Sequence, residues 1–200
     1  MQSMTRVAII GSAGRGPEAK WITKDRFNKM IDLAKHQITN VFKLDSKAVT
    51  LVSGGSSFSD HVAVKLFLQK DFPSLALYLP FEFNTTLKRF AGSGSGASNN
   101  SGSYYLNSLH QDFSRAIGGI SSNNKSLEEL ATVIKIPGIS VDNSYHGFHS
   151  RNTAVATKCD YMIAFSPTPR GPATKSGTGD TWNKCKLPMS KRIHFDLTKL

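Results

Sequence analysis

The chain has 200 residues, 39% apolar and 20% charged, which is room for one α/β domain with a substantial core. No apolar run approaches the roughly 18–20 residues of a membrane helix, so no membrane partner is expected. The net charge of +11 calls for an anionic partner. Lys and Arg are scattered, however, with only short pairs such as Lys88-Arg89 and Lys191-Arg192, so a phosphate-bearing small molecule fits better than a nucleic acid.

The run RVAII at 6–10 reads as a strand feeding the turn Gly11-Ser12-Ala13-Gly14-Arg15-Gly16, whose small residues let the backbone approach a ligand. The order of its glycines is not that of the dinucleotide fingerprint. Thr23 is placed to cap a helix reaching about Gln37, with Phe27, Met30, Ile31, Ala34 and Ile38 on its inward face. A second strand at 48–52 ends in Ser53-Gly54-Gly55-Ser56-Ser57, and Ser59 is the expected cap of a helix carrying Val62, Val64, Leu66, Phe67 and Leu68. SLALYL at 74–79 is a third strand, stopped by Pro80.

The middle of the chain differs. Residues 91–103 (AGSGSGASNNSGS) read as a flexible low-complexity loop, either a mobile flap or an inserted linker. Tyr105, Leu109, Phe113 and Ala116 then recur at helical spacing over 104–117. Ser126 with Glu129 forms a capping-box pattern for a helix through Ile134. Residues 133–136 fit a helix end or a strand, and 138–150 reads as an irregular loop holding His146 and His149.

From 149 the pattern sharpens. Ser150, Arg151 and Asn152 open a short helical stretch, and YMIAF at 161–165 reads as a buried strand. A loop with Pro167, Pro169 and Pro172 leads to Ser176-Gly177-Thr178-Gly179-Asp180-Thr181-Trp182, a glycine turn opening a last helix. Strand, glycine loop and helix N-terminus together leave backbone N–H groups free for an anion. An alternating strand at 192–197 fits a sheet edge. Strands alternating with helical periods predict a three-layer, doubly wound α/β fold with a mainly parallel sheet, one domain over 1–200.

Cys159 and Cys185, the two cysteines, sit in no metal-ligand spacing and read as packed thiols; no cofactor is expected. The start of the chain is too short for a signal-peptide core, so the expected location is cytoplasmic, the host cytosol for a virus-encoded chain.

Three features together carry a family resemblance: Gly11-Ser12…Arg15 after the first strand, Ser53-Gly54-Gly55 after the second, and Arg151-Asn152…161–165…Ser176-Gly177-Thr178-Gly179 near the end. In that order they resemble the SLOG superfamily of Rossmann-like nucleotide-binding domains, which includes the Lonely Guy phosphoribohydrolases and the DNA-processing protein A family. The resemblance covers roughly 7–185, with 81–144 unmatched. It implies a nucleotide-type ligand over the strand ends, with phosphate at the glycine turns, ribose near Arg151 and Thr178, and a homo-oligomeric assembly. Arg151 matches the phosphoribohydrolase Arg. The Glu of their G-G-x-G-T-x-x-E motif has no match: the position falls on Thr181 counting from Gly177-Thr178, or on Asn183 counting from Gly179. Lys175 or Ser176 replaces the first glycine.

Two main functions follow, with nucleic-acid binding a weaker third that rests on the charge and on the DNA-processing relatives. One is a module that binds a nucleotide or an ADP-ribose-type or cyclic ADP-ribose-like signal intact, as a sensor or sponge. The other is an N-glycosidase or phosphoribohydrolase, which needs a carboxylate at its centre. Asp180 is the nearest substitute, with Arg151 as its partner, although an acid at a helix start also suits capping. Glu18 and Glu82 read as solvated loop acids. Arg15 either clamps a phosphate or is solvated. Asp60-His61 reads as cap chemistry before an acid–base pair, His146 and His149 show no nucleophile partner, and Trp182 either stacks a base or joins the core. The expected ligand set is Gly11, Ser12, Arg15, Ser53, Gly54, Gly55, Arg151, Asn152, Ser176, Gly177, Thr178, Gly179 and Thr181.

Overall fold

Short apolar runs between glycine turns suit a parallel sheet covered on both faces. The computed structural model describes residues 4–91, 102–145 and 147–200. In chain order these form β1 (Thr5–Gly11), α1 (Lys24–His36), β2 (Val49–Ser53), α2 (His61–Leu68), β3 (Ser74–Tyr78), a two-stranded ribbon of β4 (Phe83–Asn84) and β5 (Arg89–Phe90), α3 (Gly102–Gly118) and α4 (Lys125–Ile134). Then come β6 (Ser140–Asp142), α5 (Phe148–Thr157), β7 (Tyr161–Ser166), α6 (Gly177–Lys184) and β8 (Arg192–Asp196).

The main sheet runs β6-β3-β2-β1-β7-β8, and every neighbouring pair is parallel. The expected three-layer, doubly wound fold is the one observed. Alternate residues of each strand feed opposite layers. Val7, Ile9, Leu51, Leu75, Leu77, Ile163 and Phe165 join α1–α4 in the larger core. Ala8, Ile10, Val52, Ala76, Met162 and Ala164 join α5 and the end of α6 in the smaller one. The small alanines let α5 and α6 sit close over the sheet. Thr23 caps α1 as expected, accepting a bond from the Arg26 amide, and Phe27, Met30, Ile31, Ala34 and Ile38 are all buried.

Several local expectations are corrected. Asp60, not Ser59, precedes α2, and the Ser59 hydroxyl is buried without a partner. The inward face of α3 is Leu106, Leu109, His110, Phe113 and Ser114, while Tyr105 and Ala116 are exposed. Its first turn takes in Gly102 and Ser103; residues 92–101 of the expected loop lie outside the described residues, as does His146. Ser126 is no cap but a buried member of a polar cluster. Its hydroxyl donates to the His110 carbonyl at 3.0 Å, it lies 3.1 Å from His110 Nδ1, and its amide donates to Ser114 Oγ. Glu129 reaches across to α2, 2.7 Å from His61 Nε2 and 2.8 Å from Lys65 Nζ. Residues 140–142, read as loop, pair as β6 at the sheet edge beside β3.

Candidate functional site

The chain leaves β1 towards β2 on one side, while β7 flanks β1 on the other, so a crevice opens beyond their carboxyl ends. A cavity of about 820 Å³ occupies it, within the range of small-molecule sites. Its walls come from the turn after β1, from Ser56 and Asp60 after β2, from the first turns of α5, and from the loop and first turns of α6.

The β1 turn is held by its own small residues. The Ser12 amide donates to the Phe165 carbonyl at 2.8 Å, tying the turn to β7. A Cβ on Gly11 would stand 2.1 Å from that same carbonyl oxygen, so only glycine fits. Ser12 Oγ accepts from the Gly14 amide at 3.0 Å and donates to the Glu18 carboxylate. Arg15 projects from the turn, its guanidinium 5.2 Å from the ring centres of both Tyr105 and Phe148.

Asp60 and Arg151 form the floor. Both are buried, at 3% and 7% exposure, and Arg151 Nη1 meets Asp60 Oδ2 at 3.3 Å. Burial pushes the Asp60 carboxyl up, opposed by Arg151 and by the amides of Ser56 and Gly11. Arg151 keeps its charge even though burial lowers it. Among the described residues its Nε has no hydrogen-bond partner, and the guanidinium's side-chain bond is the one to Asp60. Gly54 explains how the side chain fits there: a Cβ at Gly54 would lie 1.7 Å from Arg151 Nη1.

The far wall is α6. Ser176 is its cap, accepting from the Gly179 amide at 2.9 Å. Asp180 therefore is not the cap. Its Oδ2 takes Asn152 Nδ2 at 3.0 Å and Lys184 Nζ at 2.9 Å, with His149 Nδ1 at 3.5 Å. Burial raises its pKa, but the bonds from Asn152 and Lys184 outweigh that and hold it below the usual carboxylate range. Asp180 Oδ2 thus ties Asn152 on α5 to Lys184 on α6.

The comparisons with known proteins add one relative. The chain is 38% identical over 193 residues to "Uncharacterized protein R261" of Acanthamoeba polyphaga mimivirus, an alignment spanning 96% of this chain and 97% of that protein. The chain belongs to the R261 family. No family model matches it, and no solved structure matches it.

In this member of the R261 family, ten of the residues expected from the sequence line the cavity: Gly11, Ser12, Arg15, Arg151, Asn152, Ser176, Gly177, Thr178, Asp180 and Thr181. Ser53, Gly54, Gly55 and Gly179 do not. Ser53 Oγ donates to the Asp60 carbonyl and accepts from the Gly55 amide, bracing the loop. Gly55, with φ near 69°, makes room for Leu79, and a Cβ on Gly179 would stand 2.0 Å from the Ala173 carbonyl oxygen. These positions need glycine for packing. Trp182 is half-buried against the smaller core with Arg192 over its ring, so it does not reach the cavity. Asp60, read from the sequence as cap chemistry, makes no side-chain cap bond and instead takes the Ser56 amide and Arg151 in the cavity wall; Ser56, given no role, lines the cavity too. Glu18, read as solvated, is a wall residue; Pro17-Glu18 directly after a ligand-facing turn was the available signal. Glu82 is exposed and outside the cavity wall.

Proposed function

We propose that this cavity binds a nucleotide or a nucleotide-derived signalling molecule of the ADP-ribose or cyclic ADP-ribose type, and that the protein is a sensor or sponge of SLOG type. The observation that carries the reading is Arg151: a buried guanidinium with an unpartnered Nε at the switch point of a doubly wound sheet. A buried guanidinium that lines the cavity and is tied to Asp60 through Nη1 has further donors for a ligand oxyanion, and such a charged hydrogen bond is worth about 1.5–3 kcal/mol. The phosphate lies between Arg151 and the amides opening α6, with Arg15 at the mouth.

Hydrolysis of the N-glycosidic bond is the second reading, favoured by the presence of two further acids, Glu18 and Asp180, in the same cavity. Against it, the position expected to hold the catalytic Glu is Thr181 or Asn183, neither an acid, and Asp180 is bonded to Asn152 and Lys184. Mass spectrometry of small molecules released from the purified protein, followed by a time course with AMP and ADP-ribose, tests both. Intact nucleotide that persists supports the binding module. Free base released in proportion to protein concentration supports the enzyme.

A further inference from the structure

The ligand's sugar is legible in a group that the glycine turns do not explain. Glu18 stands in the 3-10 turn Gly16–Trp21 and lines the cavity. Ser12 fixes it: the hydroxyl is oriented by the Gly14 amide that it accepts from, so its proton points to Glu18 Oε2. Glu18 Oε1 takes no bond from the described residues. A carboxylate only accepts, so whatever completes it must donate.

We infer that Glu18 accepts the vicinal hydroxyls of the ligand's ribose, so that the site selects ribonucleotides over 2′-deoxyribonucleotides. This rests on the nucleotide reading and deepens it. Arg151 and Glu18 line one cavity, a buried cation and a half-buried carboxylate, and together they ask for a ligand with an oxyanion and neutral donors. A cationic donor at Glu18 would share the space with Arg15 and Lys175, while Arg151 is already paired with Asp60. Neutral O–H groups meet no such repulsion, and a ribose cis-diol offers two of them on adjacent carbons. A carboxylate holding ribose hydroxyls also gives sharp discrimination, because removing one hydroxyl leaves a desolvated acceptor unmet.

The test is calorimetric titration of the full chain with AMP, 2′-deoxyAMP and 3′-deoxyAMP, repeated with Glu18→Gln. Glutamine keeps an oxygen for Ser12, so the turn and the melting temperature should be preserved. The unaltered protein should bind AMP about 10-fold or more tighter than 2′-deoxyAMP, the span expected of a charged hydrogen bond. Glu18→Gln should weaken AMP by a similar factor and leave 2′-deoxyAMP nearly unchanged, closing the gap. Equal affinities for AMP and 2′-deoxyAMP, or a gap that survives Glu18→Gln, overturns the role of Glu18 and leaves the nucleotide reading standing. Failure of all three nucleotides to bind overturns both.

Discussion

At the residue scale, the site turns on how a buried arginine is held half-satisfied. Arg151 is positioned by Asp60 and given space by Gly54, neither of which needs to touch a ligand. Gly54→Ala should therefore act through Arg151: an added Cβ displaces the guanidinium, costing about 1–3 kcal/mol of stability by overpacking. Nucleotide affinity should fall together with it. Calorimetry showing full affinity in a folded Gly54→Ala protein would mean that Arg151 is dispensable. Asp180→Asn separates anchoring from chemistry. If Asp180 only anchors, a nucleotide should remain intact in the presence of both proteins. If it is catalytic, a hydrolysis rate measured by chromatography should drop about 10²–10⁴-fold in the variant. We expect no hydrolysis in either.

At the element scale, α6 depends on its first turn. Ser176→Ala removes the acceptor for the Gly179 amide and should lower stability by about 1 kcal/mol, read as a shift in denaturant midpoint. On the other face, α2, α3 and α4 are joined by polar groups whose protonation sets acid sensitivity. Burial, helped by His61, lowers His110 to about 3. Its folded pKa lies below its unfolded value, so the unfolded chain binds the extra proton; stability is intact above about 6.5 and is lost as pH falls towards 3. Glu129 adds a lower window. Burial raises it, but the bonds from His61 and Lys65 bring it to about 2, so its contribution fades as pH drops from about 4.5. Melting temperature should thus decline steadily below pH 6; a flat profile down to pH 4 would contradict the buried neutral His110.

These same elements show what the sequence made legible. The strands at 7–10, 48–52, 74–79 and 161–165 stand out because strands buried on both faces must be continuously apolar. β6 does not, since an edge strand of three residues, Ser140–Asp142, leaves Ser140 and Val141 exposed and carries no such signal. On α3, Leu109 and Phe113 face inward as expected, but His110 and Ser114 rather than Tyr105 and Ala116 complete the buried stripe, polar residues that are stable there through partners on α4 and in the Gly55 loop. In the site, glycines announced the turns around 11 and 177. Whether a glycine meets a ligand or a neighbouring side chain depends on packing across more than ninety residues, as with Gly54 and Arg151, and no local pattern encodes that.

At the scale of the whole molecule, the doubly wound sheet brings residues from Gly11 to Thr181 to one crevice, and the chain carries a net charge of +11, which favours association with anions. No helix among the described residues is long and apolar enough to cross a membrane. The central claim is that Arg151 receives the anion of a nucleotide, and calorimetric titration of ADP-ribose into the unaltered protein and Arg151→Ala tests it directly. The account predicts saturable binding by the unaltered protein, weakened in the variant by about 1.5–3 kcal/mol, the range of a charged hydrogen bond. Unchanged affinity in a folded Arg151→Ala protein, or no binding by either, would contradict it.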